Sequence, residues 1–141
     1  MCPDLFSLQG KTVFIAAGTS AVGSAIAQEC ARDAARVVVS GRSRERLDKL
    51  LNALPGQAHL GIVADLENEN DLGRLVAELP DIDGFVYAAG VPGKTLIKFM
   101  PAEEITQTLR INFSRAMQLT CELLRANKIN NGACVLFLSS V

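Results

Sequence analysis

The sequence predicts an α/β fold: a doubly wound parallel sheet of five strands with helices on both faces. Three observations predict it. Short apolar, β-branched runs alternate five times with stretches of helical spacing. The runs are continuously apolar, as expected of strands buried on both faces. Gly, Pro, Ser and Asn punctuate the junctions.

Residues 12–16 (TVFIA) form the first run, and a Gly/Thr/Ser turn follows. From Val22 to Asp33 the spacing is helical, with Val22, Ile26 and Cys30 on one face. Residues 36–40 (RVVVS) are the second strand. Ser43 then caps a helix over SRERLDKLLNAL, with Arg46 at the third helical position as half a capping box. Pro55 and Gly56 end it.

Residues 59–64 (HLGIVA) are the third strand. A helix from Asn68 to Leu79 carries Leu72, Leu75, Val76 and Leu79 as its stripe, and Pro80 closes it. Residues 85–89 (FVYAA) are the fourth strand. One long helix is expected from Ala102 to about Lys128. Asn130, Asn131 and Gly132 read as a turn into a fifth strand over residues 134–138.

A chain of 141 residues suits one domain with a real core. Lys+Arg total 14 against 15 Asp+Glu, so charge gives no reason to expect nucleic acid or an anionic membrane as partner. No apolar run approaches the roughly 18–20 residues of a membrane span, and the first residues do not read as a secretory signal. Cys2, Cys30, Cys121 and Cys134 make neither a CxxC pair nor a metal pattern. Cys30, Cys121 and Cys134 lie in apolar-periodic segments, so buried free thiols in a reducing cytoplasm are the expectation.

The candidate chemistry begins at "AAGTSAVGSAIA", from Ala16 to Ala27. Backbone N–H groups at a helix start, together with the positive end of the helix dipole, make a site for phosphate. Small residues there allow close backbone approach, although they also serve tight strand–helix packing. "VVVSGRSRERL" follows at the second strand's end. Gly41 stands where an acid would take ribose hydroxyls, and Arg42 comes next. A guanidinium there suits a 2′-phosphate, with Ser40 and Ser43 as further hydroxyl donors. Arg44 and Arg46 read as solvated helix-start residues.

These stretches resemble the short-chain dehydrogenase/reductase family, whose turn reads T-G-x-x-x-G-x-G. Laid on it, Ala16 takes the Thr place, Ala17 the first Gly, Ala21 the second and Gly23 the third, with Gly18, Thr19, Ser20 and Val22 between. Alanine at position 21 would cost about 1–2 kcal/mol if that position needs φ > 0. The resemblance implies that Asp65 and the Leu66 N–H hold the adenine edge. A loop aspartate capping the next helix is the competing reading. In "FVYAAG", Tyr87 and Ala88 replace the family's two asparagines, putting side-chain support of this region in question, while Ala89 and Gly90 leave room for ribose. Asn112 matches the asparagine that kinks the long helix and holds a relay water; a surface asparagine is the alternative.

In "LFLSSV", the family's catalytic serine maps to Ser140, with Ser139 structural. The family also needs Tyr-x-x-x-Lys. The sole tyrosine is Tyr87, and Val91, not lysine, stands four residues on. The resemblance therefore implies a Rossmann-like dinucleotide-binding domain over residues 1–141, incomplete at its C-terminus. It implies an NADP(H)-dependent oxidoreductase acting on a carbonyl or alcohol, inactive in these residues alone. A homo-oligomer through the long helix goes with it. A non-catalytic nucleotide-binding module and a structural dimerisation unit are the alternatives.

Overall fold

The computed structural model describes residues 7–139. Five parallel strands form one sheet: β1 (Thr12–Ala16), β2 (Arg36–Gly41), β3 (Leu60–Val63), β4 (Ile82–Tyr87) and β5 (Ile129–Phe137). Their order is β3-β2-β1-β4-β5. The direction of winding reverses between β1 and β4, which pair from Val13 opposite Gly84 to Ala16 opposite Tyr87.

Strand side chains alternate between faces, and each face has its own core. Val13, Ile15, Val37 and Val39 pack with Ala27, Ala31, Leu47 and Leu50 of α1 (Ala21–Arg32) and α2 (Arg44–Ala53). Phe14, Val38, Ile62 and Phe85 pack on the opposite side. There they meet Leu72 and Leu75 of α3 (Glu69–Glu78), and Leu119 and Leu123 of α5 (Arg115–Arg125). The Phe14 and Phe85 rings stack with centroids 5.4 Å apart. This sheet with helices on both faces is the fold expected from the runs.

Helix starts follow their caps. The Ser20 hydroxyl accepts from Gly23 N, Ser43 from Arg46 N, and Asn68 from the Asn70 and Asp71 amides. Asn68, not Asp65, therefore caps α3.

Three expectations are corrected. Of the cysteines expected to be buried, Cys121 and Cys134 are exposed and Cys30 is half-buried. The helix expected from Ala102 to Lys128 is interrupted and shorter. α4 (Ala102–Leu109) passes into a π-turn, Arg110–Ser114, before α5 ends at Arg125. Asn127 then takes φ 53°, and the Lys128 carbonyl accepts from Ile82 N. The fifth strand also begins earlier than expected. Asn130, Asn131 and Gly132 lie within β5, where Ile82 opposes Ile129 and Gly84 already opposes Cys134. The turn signal marks a bulge, with Gly132 at φ 80° absorbing it.

Candidate functional site

Chain reversal at β1/β4 leaves a crevice at the carboxyl ends of the strands, where ligands bind in open α/β sheets. A cleft of about 450 Å³ lies there. Its wall includes Ala17, Thr19 and Ser20 after β1, and Ser40, Arg42 and Ser43 after β2. Asp65 and Leu66 enter after β3, and Ala88, Ala89 and Gly90 after β4. Eleven residues named from the sequence thus converge from four loops. Gly18, Ala21, Val22 and Gly23 sit behind the lining or on α1, and Ser140 lies outside the described residues.

Gly23, the one motif glycine kept, and its neighbour in the turn, Gly18, are fixed by packing. A Cβ on Gly18 would stand 2.7 Å from Val39 Cγ1, and one on Gly23 only 2.6 Å from the Ala17 carbonyl oxygen. Strain falls elsewhere than the family pattern suggested. Ala21 is the first residue of α1, whereas Ala17 takes φ 57°. Ala17→Gly is accordingly expected to stabilise the chain by up to about 1 kcal/mol. It relieves a left-handed penalty of about 1–2 kcal/mol and gives back part through a freer unfolded chain. Denaturant melts of the two proteins check it.

Ser40 is fully buried, and its hydroxyl oxygen accepts from Ala17 N at 3.4 Å while its carbonyl accepts from Gly18 N at 2.9 Å. It shapes the turn after β1 more than it offers a free donor. Gly41 has a steric cause as well as an electrostatic one, because a Cβ there would stand 2.8 Å from Thr19 Oγ1. The turn after β1 thus occupies the place of an acidic side chain.

Arg42 lines the cleft and has no hydrogen-bond or ion-pair partner among the described residues. Arg44 turns away, donating to the Gly61 carbonyl at 3.3 Å. Arg46, read from sequence as a solvated helix residue, also lines the cleft and donates to the Thr19 carbonyl at 2.8 Å. Three residues after its cap, its side chain points back over the start of α2. That signal was available in the capping spacing. Ala64, Glu67, Val91 and Ile111 complete the wall, and no motif marks them as site residues.

Asp65 Oδ1 accepts from Glu67 N at 3.0 Å, and Asp65 N donates to Asp71 Oδ2 at 2.8 Å. The Asp71 carboxyl is held below its ordinary value, chiefly by the Asp65 amide and then by Arg74. These bonds shape the loop locally.

On the opposite wall, Asn112 spends both ends of its amide on one residue. Its Oδ1 accepts from Val91 N at 2.8 Å, and its Nδ2 donates to the Val91 carbonyl at 2.9 Å. It holds the backbone just past Gly90 at the cleft wall. It sits inside the π-turn, whose widened ladder frees carbonyl groups. Tyr87 takes one of them: its hydroxyl donates to the Ile111 carbonyl at 2.7 Å. The side-chain support placed in question by the Tyr87 departure is therefore present in a different form.

Burial pushes the Tyr87 pKa up to about 12. A folded value above the usual value of about 10 means stability fully present below pH 10 and lost as pH rises toward 12. With one Tyr and no Trp in the chain, ultraviolet titration reads this group alone. The expected midpoint is near 12 in the folded protein, falling to about 10 in denaturant; a native midpoint near 10 would contradict the buried bond.

The family model described as short chain dehydrogenase matches residues 11–141. The chain belongs to the short-chain dehydrogenase family. It is 27% identical over 137 residues to a 3-oxoacyl-[acyl-carrier-protein] reductase of Rickettsia bellii, covering 97% of this chain and 56% of that protein. A short-chain dehydrogenase/reductase from Serratia marcescens superposes with a TM-score of 0.83 at 24% identity, over 94% of this chain and 56% of that one. An actinorhodin polyketide ketoreductase variant crystallised with NADPH superposes with a TM-score of 0.75 at 24% identity, over 82% and 47% of the two chains. The chain thus spans about half the length of the relatives it matches. At such identities the two structures speak for the fold.

Proposed function

We propose that this family member is an NADP(H)-dependent oxidoreductase, transferring hydride between the nicotinamide and a carbonyl or alcohol substrate. The observation that carries the cofactor choice is Arg42, an unpartnered guanidinium on the cleft wall beside a Gly41 that has no room for an acid. The residues present fit the group. α1 has no acidic residue in its first turn, and its opening amides have no intrahelical partner.

In this reading the turn from Ala17 to Val22 takes the pyrophosphate, and Gly18 and Gly23 let backbone pack closely enough to shape it. Arg42 and Ser43 take the 2′-phosphate, Asp65 and the Leu66 amide the adenine edge, and Ala88, Ala89 and Gly90 leave room for ribose. The bound cofactor supplies or accepts the hydride. Asn112 orders the Val91 backbone at the wall where the π-turn meets the cleft. Ser140, assigned by resemblance, donates a hydrogen bond to the substrate carbonyl and stabilises developing negative charge.

A cytoplasmic setting and self-association complete the reading. No helix among the described residues is long and apolar enough to cross a membrane. Leu109, Phe113, Met117 and Leu124 of the helical column are exposed, as are Val135, Leu136 and Phe137 of the edge strand. Sedimentation is expected to show a concentration-dependent oligomer; a monomer across a wide concentration range would count against it.

The catalytic test compares this chain with an extended form carrying a Tyr-x-x-x-Lys pair, using NADPH and a panel of ketones. The 141 residues are expected to turn nothing over and the extended form to oxidise NADPH saturably. Turnover by the shorter chain, abolished by Ser140→Ala, would mean another acid does the work.

A further inference from the structure

The helix that carries Asn112 also grips the opposite wall of the cleft. Arg115 opens α5 directly after the π-turn and is only 3% exposed. Its Nη2 donates to the Glu67 carbonyl at 2.9 Å, and its Nη1 to Glu69 Oε1 and Gln118 Oε1, each at 2.5 Å. Gln118 Nε2 closes the network on Glu69 Oε2 at 2.8 Å. Arg110, in the π-turn itself, adds a second donor to the Glu67 carbonyl at 3.1 Å.

A buried guanidinium is an expensive way to fill space between two helices. Ala116, Leu119 and Leu123 fill the same interface with apolar atoms. What Arg115 reaches and they do not is the backbone of residues 65–68, the loop that lines the cleft through Asp65, Leu66 and Glu67. Asn112, three residues earlier, holds Val91 on the other wall.

We propose that Arg115 is a positioning residue for dinucleotide binding: it holds the residue 65–68 loop against the π-turn, so that one short helical segment sets both walls of the cleft. The proposal rests on the reading that this cleft takes NADP(H). Arg115 touches no ligand in it; it acts through the Glu67 carbonyl.

The test is Arg115→Met, which keeps bulk and removes every donor, with Arg115→Lys as the conservative partner and the milder Arg110→Ala in case Met prevents folding. Amide hydrogen exchange and NADPH titration are read on each. The expected result for Arg115→Met is faster exchange at the Asp65, Glu67 and Asn68 amides with unchanged protection at Phe14, Val38 and Phe85. NADPH affinity falls about tenfold, the scale of one lost hydrogen bond to a charged group. Lysine recovers part of both, and Arg110→Ala shows the same pattern more weakly.

Uniformly faster exchange across the sheet would reduce Arg115 to a stability residue and overturn the proposal. So would a loosened loop with unchanged affinity. An unmutated protein that binds neither NADPH nor NADH would instead contradict the proposed function, and the exchange measurement would still decide whether Arg115 fixes the loop.

Discussion

Gly23→Ala is expected to destabilise the chain by about 1–3 kcal/mol, the usual range for overpacking. The new methyl would meet the Ala17 carbonyl oxygen at 2.6 Å, Ser20 Oγ at 2.8 Å and Gly18 Cα at 2.9 Å. Two of those atoms are backbone in a turn pinned to Ser40, so neither can swing aside as a side-chain tip would. The gain in helix propensity, about 1 kcal/mol, offsets only part of the clash. Gly73→Ala is the matched control. Gly73 lies within α3 with nothing within 4 Å of an added Cβ, so alanine there should stabilise by about 0.5–1 kcal/mol. Melts of the two variants should shift in opposite directions. Shifts in the same direction would mean the turn is not held as tightly as its contacts require.

Arg42→Ala should weaken NADPH binding by about 1.5–3 kcal/mol, roughly 10- to 150-fold, and leave NADH nearly unchanged. The effect is large because no other group among the described residues neutralises this guanidinium, so its interaction with a 2′-phosphate is not shared. Gly41→Asp is the complementary variant. It adds a charge that repels the phosphate and a Cβ within 2.8 Å of Thr19 Oγ1. It should lose NADPH without gaining NADH, because the acid cannot settle at the strand end while Thr19 fills the space. Adding Thr19→Gly should recover NADH binding. Titration of the three proteins with both cofactors reads all of this; equal losses for NADPH and NADH in Arg42→Ala would place that side chain away from the phosphate.

Much of this was legible in the sequence because local and global signals agree. Apolar runs such as Val37, Val38 and Val39 read as strands buried on two faces, and they are. Ser43 announced its helix through capping chemistry. The resemblance pointed to a kink at Asn112, but its form as a π-turn was not legible, because Leu109 to Met117 keeps ordinary helical spacing. At that place Tyr87 and Asn112 bond to partners more than twenty residues away, which local spacing does not show. The bulge in β5 misled for the opposite reason: Asn130, Asn131 and Gly132 carry a strong turn signal that the sheet absorbs without reversing the chain. Arg115 was missed because one basic residue in an amphipathic helix reads as solvent-facing, and only folding reveals that the Glu67 carbonyl lies opposite it. In the cleft, motif spacing named residues that line it, such as Ser20, Arg42 and Asp65. Those that confer shape, such as Thr19 against Gly41, needed coordinates.

The central claim is that the cleft at the β1/β4 reversal binds a nicotinamide dinucleotide and selects the phosphorylated form. Calorimetric titration of the unmutated chain with NADPH and then with NADH tests it most directly. The account expects saturable binding of one equivalent of NADPH, tighter than NADH by at least about tenfold, the worth of one charge-assisted contact. Equal affinity for the two, or tighter binding of NADH, would contradict it.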